Sequence, residues 1–289
     1  MHVTQVLARL GGVCDAADLV AATSRGRVRR ALERGEIVRA SKRGYALPTA
    51  TEGRRAAQTL HGVMSGLSAA AYWGWELKRP PEDPTITVPR NRRLARHRRL
   101  GVAVRWRDLP AAAVYQGFVT RPATTVIDCA RDLPFDEALA VADSALRHGD
   151  VDREELVILA NQLTRGRDRV LRVVCAADGR AANPFESVLR AIALEMPELT
   201  LVPQVEIRDG AFFARPDLVD VVRRIVVEAD SFEFHGTRRA LRNDCIRYNA
   251  LVVRGWRVVR FTWEDVMLRP EYVRDVLQSL CDHALPAGR

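Results

Sequence analysis

At 289 residues the chain is long enough for two or three domains, each able to bury its own core. A hydrophobic fraction of 47% beside 28% charged residues suits folded, soluble domains and excludes a fibrous or disordered chain. No apolar run reaches a membrane span, and Met1-His2-Val3 opens no signal peptide. Five widely spaced cysteines without a Cys-x-x-Cys fit neither a disulfide framework nor a zinc site, so a reduced, cytoplasmic protein with no membrane partner is expected.

The net charge of +9 is unevenly placed. Residues 1–53 carry 9 basic and 5 acidic side chains, 54–182 carry 21 and 15, and 183–289 carry 15 and 16. A polyanion is therefore expected to be gripped by the first two segments, while the last gathers acids for another purpose.

Val3, Val6, Leu7 and Leu10 recur at helical spacing before Gly11-Gly12. A second helix is expected over 15–22, and Ser24 is placed to cap a third over 25–34. There Val28, Ala31 and Leu32 share one face, while Arg25, Arg29 and Arg30 project elsewhere. Short apolar runs at 37–39 and 45–47 flank Ser41-Lys42-Arg43-Gly44 as a basic wing. The sum predicts a winged helix-turn-helix domain over 1–52, with the third helix in the major groove of double-stranded DNA and Lys42 and Arg43 on phosphate. A small helical domain with a solvated basic face has the same pattern. The stretch from Gly11-Gly12-Val13 to Arg43-Gly44-Tyr45-Ala46-Leu47 resembles the N-terminal domain of AbiEi-type antitoxins, which implies a DNA-binding repressor.

Residues 48–55 read as a polar linker. Beyond it, helical patterns at 56–62, from Ser68, and at 123–131, 135–147 and 153–163, with strands at 85–88 and 102–106, predict an α+β middle domain over 53–180. Between those strands lie Arg90, Arg92, Arg93, Arg96, Arg98 and Arg99, six arginines in ten residues. Like charges this dense repel one another unless a polyanion offsets them, so phosphate backbone or an acidic protein such as a toxin is the expected partner. Ser68-Ala69-Ala70 and Thr124-Thr125-Val126-Ile127-Asp128 resemble the AbiEi-type middle domain. Gly166 to Ala182 reads as a hinge.

The last segment, 181–289, holds the chemistry. Asn183 and Pro184 start a helix bearing Glu186, and a strand is expected over 202–207. Asp217-Leu218-Val219 and Ile225-Val226-Val227 read as paired strands that bring Asp217 beside Glu228 and Asp230. Three gathered carboxylates raise one another's pKa unless a cation neutralises them, and Mg²⁺ or Mn²⁺ suits oxygen ligands. A basic helix over 237–253 offers Arg238 and Arg242 to phosphates, and Asp244 and Arg247 read as a surface pair. A strand at 256–261 and one helix over 264–280, kinked or interrupted at Pro270, complete a central mixed sheet with helices on both sides.

The order helical Glu, strand Asp, Glu228-Ala229-Asp230, His235 and Gly255-Trp256 resembles the PD-(D/E)xK nucleases, and more closely the endonuclease-domain family related to very-short-patch-repair endonucleases, over about 183–280. The superfamily's Lys is replaced by Asp230. That resemblance implies a restriction-endonuclease-like α/β domain, Asp217 as principal metal ligand with Glu228 and Asp230 completing the site, Glu186 approaching from its helix, and His235 as general base. The expected whole is an α+β multidomain protein acting as a metal-dependent DNA endonuclease. The alternative is a non-enzymatic DNA-binding regulator of AbiEi type whose C-terminal unit binds a partner.

Overall fold

The computed structural model describes residues 2–9, 13–41, 44–230 and 238–282. The fold is α+β, with mixed sheets and several helices. At the N-terminus α1 (Val3–Arg9), α2 (Ala16–Ala22) and α3 (Arg25–Glu33) bury Leu7, Leu19 and Val28 around Ile37. The Ser24 side chain caps α3 by accepting the Arg27 N–H at 3.3 Å. Strands β1 (Val13–Asp15), β2 (Val38–Ser41) and β3 (Gly44–Ala46) form an antiparallel sheet with β3 at its centre. Lys42 and Arg43 lie outside the described residues.

Residues 48–55 are not a linker but the first part of α4 (Pro48–Leu60). Pro48 sits in the first turn, where its missing N–H costs nothing, and Ala57 and Leu60 are buried. Gly53 lies so close to the Met64 sulfur that a Cβ would overlap it.

A five-stranded mixed sheet follows, in the order β6-β5-β4-β8-β7: β4 (Val63–Met64), β5 (Thr85–Val88), β6 (Ala103–Trp106), β7 (Val114–Tyr115) and β8 (Val119–Thr120), with α5 (Gly66–Tyr72) packed on it. Because β5 and β6 are parallel, the arginine-rich segment is a crossover rather than a hairpin loop. Helices α6 (Pro122–Asp132), α7 (Phe135–His148), α8 (Arg153–Asn161) and α9 (Arg167–Ala176) share one core. Residues 167–176 of the expected hinge form α9, whose Val170, Val173 and Val174 follow the i, i+3, i+4 rule and are buried against that core, while 177–183 are an irregular connection to the next helix.

The C-terminal region runs α10 (Pro184–Ala193), β9 (Val202–Pro203), β10 (Ile207–Asp209), β11 (Phe212–Ala214), β12 (Leu218–Asp220), β13 (Ile225–Asp230), α11 (Arg238–Val252), β14 (Arg257–Thr262), α12 (Trp263–Leu268) and α13 (Pro270–Asp282). The strand expected over 202–207 is broken because Gln204 adopts a left-handed conformation, φ 56°. The helix expected over 264–280 is two, divided where Pro270 cannot continue α12. The mixed sheet β14-β13-β12-β9 carries Leu218, Val227 and Phe261 on the core shared with α10, α12 and α13. Val219 and Val226 point the other way, toward Tyr248 and Leu251 of α11. A buried ion pair fixes α10 to α7, Arg190 Nη2 donating to both Asp143 oxygens at 2.7 Å. Among the described residues no helix is long and apolar enough to cross a membrane.

Candidate functional site

The antiparallel register of β12 and β13 pairs Leu218 with Val227, so the next step sets Asp217 opposite Glu228. Asp217 Oδ2 accepts the Ala229 N–H at 2.8 Å, and its carboxyl hydrogen-bonds Glu228. Gln204 joins the third acid: its Nε2 lies 3.3 Å from Asp217 Oδ1 and 3.0 Å from Glu186 Oε2. Glu186 is held at the start of α10, where Oε2 accepts the Ala182 N–H and Oε1 accepts the Asn183 amide, both at 2.9 Å.

Glu186 and Glu228 are each 3% exposed. Burial, and then the charge of Asp217, pushes Glu186 up to about 7 and Glu228 up to about 8. Asp217 is raised as well, by burial. Arg247 Nη1 stands 3.5 Å from Glu228 Oε1, an oxygen with no hydrogen-bond partner. The group is therefore a carboxyl cluster that holds protons near neutral pH.

Asp230 lies two residues beyond Glu228 on the same face of β13 and has a cation of its own. Its carboxylate pairs with Arg260 Nε at 2.5 Å, and the Arg260 guanidinium lies 4.1 Å from the Tyr248 ring centre. Among the described residues no group of three or more His, Cys, Asp or Glu is arranged to hold a metal ion. Of the expected ligand set, Asp217 and Glu228 are brought together, while Asp230 is ion-paired with Arg260 of β14. The oxygen donors of Asp217 and Glu228 suit Mg²⁺ or Mn²⁺ chemically, and Glu228 Oε1 makes no hydrogen bond, only the 3.5 Å ion pair with Arg247. His235 lies outside the described residues. Among the described residues, Gln204 and Arg247 also join the cluster. A glutamine inside an apolar run was the available signal for the first, and Arg247 does more than pair with Asp244, 3.5 Å away.

The basic residues form separate surfaces. Arg25, Arg29 and Arg30 are exposed on α3, opposite the buried Val28 and Ala31. In the crossover, Arg90, Arg93, Arg96, Arg98 and Arg99 are exposed and Arg92 is half-buried. Trp106 braces this segment, its indole N–H donating to the Arg92 carbonyl at 3.1 Å while Arg99 lies over its ring. Arg242 is exposed on α11, whereas the Arg238 side chain lies outside what is described.

Residues 61–173 match the family model of the AbiEi antitoxin C-terminal domain. Two relatives, the uncharacterized proteins MT2308 and Rv2248 of Mycobacterium tuberculosis strains CDC 1551 / Oshkosh and ATCC 25618 / H37Rv, are each 27% identical over 242 residues, covering 79% of this chain and 84% of the relative. A crystal structure of the RV2827C protein from Mycobacterium tuberculosis is similar with a TM-score of 0.35 at 17% identity, over 72% of this chain and 87% of that one. The family match supports the antitoxin-like region and extends it across the whole arginine crossover. None of these findings supports the endonuclease likeness of 183–280.

Proposed function

We propose that this chain is a DNA-binding regulator of antitoxin type. The observation that carries the reading is the AbiEi antitoxin match over 61–173, a region whose surface bears the exposed arginines of the 90–99 crossover. In this reading the first 52 residues are a winged-helix reader: α3 enters the major groove with Arg25, Arg29 and Arg30, and the basic wing at Lys42 and Arg43 meets phosphate. The crossover adds contacts that position without reading sequence. The protein partner is an acidic surface, such as that of a cognate toxin. Footprinting on DNA upstream of the protein's own gene tests it: one protected operator supports the reading, and uniform protection at all salt concentrations refutes it.

A second reading, metal-dependent hydrolysis of DNA phosphodiesters in the C-terminal unit, rests on the carboxyl cluster of Glu186, Asp217 and Glu228. Asp217 and Glu228 would hold Mg²⁺ or Mn²⁺, and Glu186, near 7, would accept a proton close to neutral pH. The ion would supply a bound water of lowered pKa. In that case Asp217→Ala abolishes Mg²⁺-dependent plasmid nicking while DNA affinity stays within about twofold of the parent.

A further inference from the structure

We propose that a cleft in the middle region binds a nucleoside phosphate, a small ligand with an anionic end, a planar body and hydrogen-bond donors. The cleft, about 530 Å³, lies between the connection after β6, helix α6 and the turn after α8. That volume is within the range of small-molecule sites. The proposal does not rest on either reading above.

Three observations carry it. First, the cleft is lined by the arginines at 90, 107, 131 and 165 but by only two acids, Asp108 and Asp128. Arg107 is held in place by Asp128 and by Asp132, whose Oδ1 is 3.0 Å from its Nη2. Arg90 pairs with Asp108 at 3.9 Å, so four arginines meet three carboxylates and one positive charge is left over, which favours an anion.

Second, two buried polar atoms at the cleft have no hydrogen-bond partner. They are Nε of Arg131, a donor, and Oδ2 of Asp128, an acceptor on a residue only 3% exposed. Neither atom has accessible surface, so a ligand meets them only when the two side chains turn toward the cleft; since a buried polar atom without a partner costs about 1–3 kcal/mol, that turn favours a ligand supplying both an acceptor and a donor. A bare phosphate supplies the acceptor alone. A nucleoside phosphate adds hydroxyl and amino donors.

Third, Ile127, Leu159 and Leu163 give the cleft an apolar wall against which a planar base can lie. Arg90 also begins the arginine crossover, so the phosphate of bound DNA has the same chemistry as that of a free nucleotide. The two sources must be separated by experiment.

Isothermal titration of the full chain with ATP, inorganic phosphate and a short single-stranded oligonucleotide does so. The expected result is saturable one-to-one binding of ATP, with phosphate weaker by at least about tenfold. Arg165→Glu, an exposed position where the fold is safe, and Arg131→Met each weaken ATP by about tenfold or more, whereas Arg96→Ser leaves it unchanged. The proposal is overturned if ATP gives no saturable heat at millimolar concentration, if Arg165→Glu binds ATP as well as the parent, or if phosphate equals ATP. Binding of the oligonucleotide without binding of ATP overturns it too, and assigns the cleft to the DNA-binding surface.

Discussion

Replacing Glu228 by Gln removes the most perturbed carboxyl of the cluster and changes how stability depends on pH. In the folded chain Glu228 is pushed from 4.5 up to about 8 and Glu186 up to about 7. A carboxyl raised in this way binds its proton more tightly folded than unfolded. Its contribution is fully present below about pH 4.5 and is lost as pH rises through about 8. For Glu228 the swing is about 5 kcal/mol at 1.36 kcal/mol per pH unit, and coupling through Asp217 means that Glu186 does not simply add to it. Glu76, Asp178 and Asp265, all held below their usual range, act in the opposite sense at more acid pH and stay out of this window. Urea unfolding in EDTA, followed by tryptophan fluorescence, compares the parent and Glu228→Gln at about pH 5.5 and about pH 8.5. The parent is expected to lose several kcal/mol between the two, and the variant to lose far less and to be the more stable protein at the alkaline pH. Equal slopes for the two proteins would refute the buried, proton-holding cluster.

Asp143→Asn leaves Arg190 charged and buried on α10 and is expected to destabilise by about 3–5 kcal/mol in the same assay, whereas less than about 1 kcal/mol would show the pair to be solvated. Asn183→Ala removes both the cap of α10 and the donor that holds Glu186 Oε1, at a cost of about 1 kcal/mol by thermal unfolding. Changing Arg96, Arg98 and Arg99 together to Ser is expected to flatten the salt dependence of DNA binding by up to about 3 in log K against log salt, and an unchanged slope would remove the crossover from the interface.

Where one local rule governed, the sequence was readable. Ser24 and Asn183 cap helices as their residue types suggest, and the β12–β13 register that sets Asp217 opposite Glu228 follows from two short apolar runs divided by a polar turn. What was not readable depended on tertiary partners. Residues 48–55 are polar in composition, yet they become helix because Ala57, Leu60 and Gly53 have a core to meet. Residues 167–176 of the expected hinge are helical for the same reason, since α9 completes the core of α6 and α7. The ion pair of Asp230 was hidden because parallel β14 sets Arg260 opposite Glu228, from where it reaches Asp230, a neighbour 30 residues away in the chain. Gln204 entered the cluster through a left-handed backbone that no periodicity announces.

If the chain is a regulator of antitoxin type, it binds a specific DNA site. Fluorescence anisotropy with a labelled duplex from upstream of the gene, run in Mg²⁺ and in EDTA and followed by a denaturing gel of the same samples, tests it most directly. Binding is expected to be at least about a thousandfold tighter than to unrelated duplex, equal in both buffers, with the DNA recovered intact. Equal affinity for every duplex would contradict it, and duplex cut only in the Mg²⁺ samples would transfer the case to the nuclease reading.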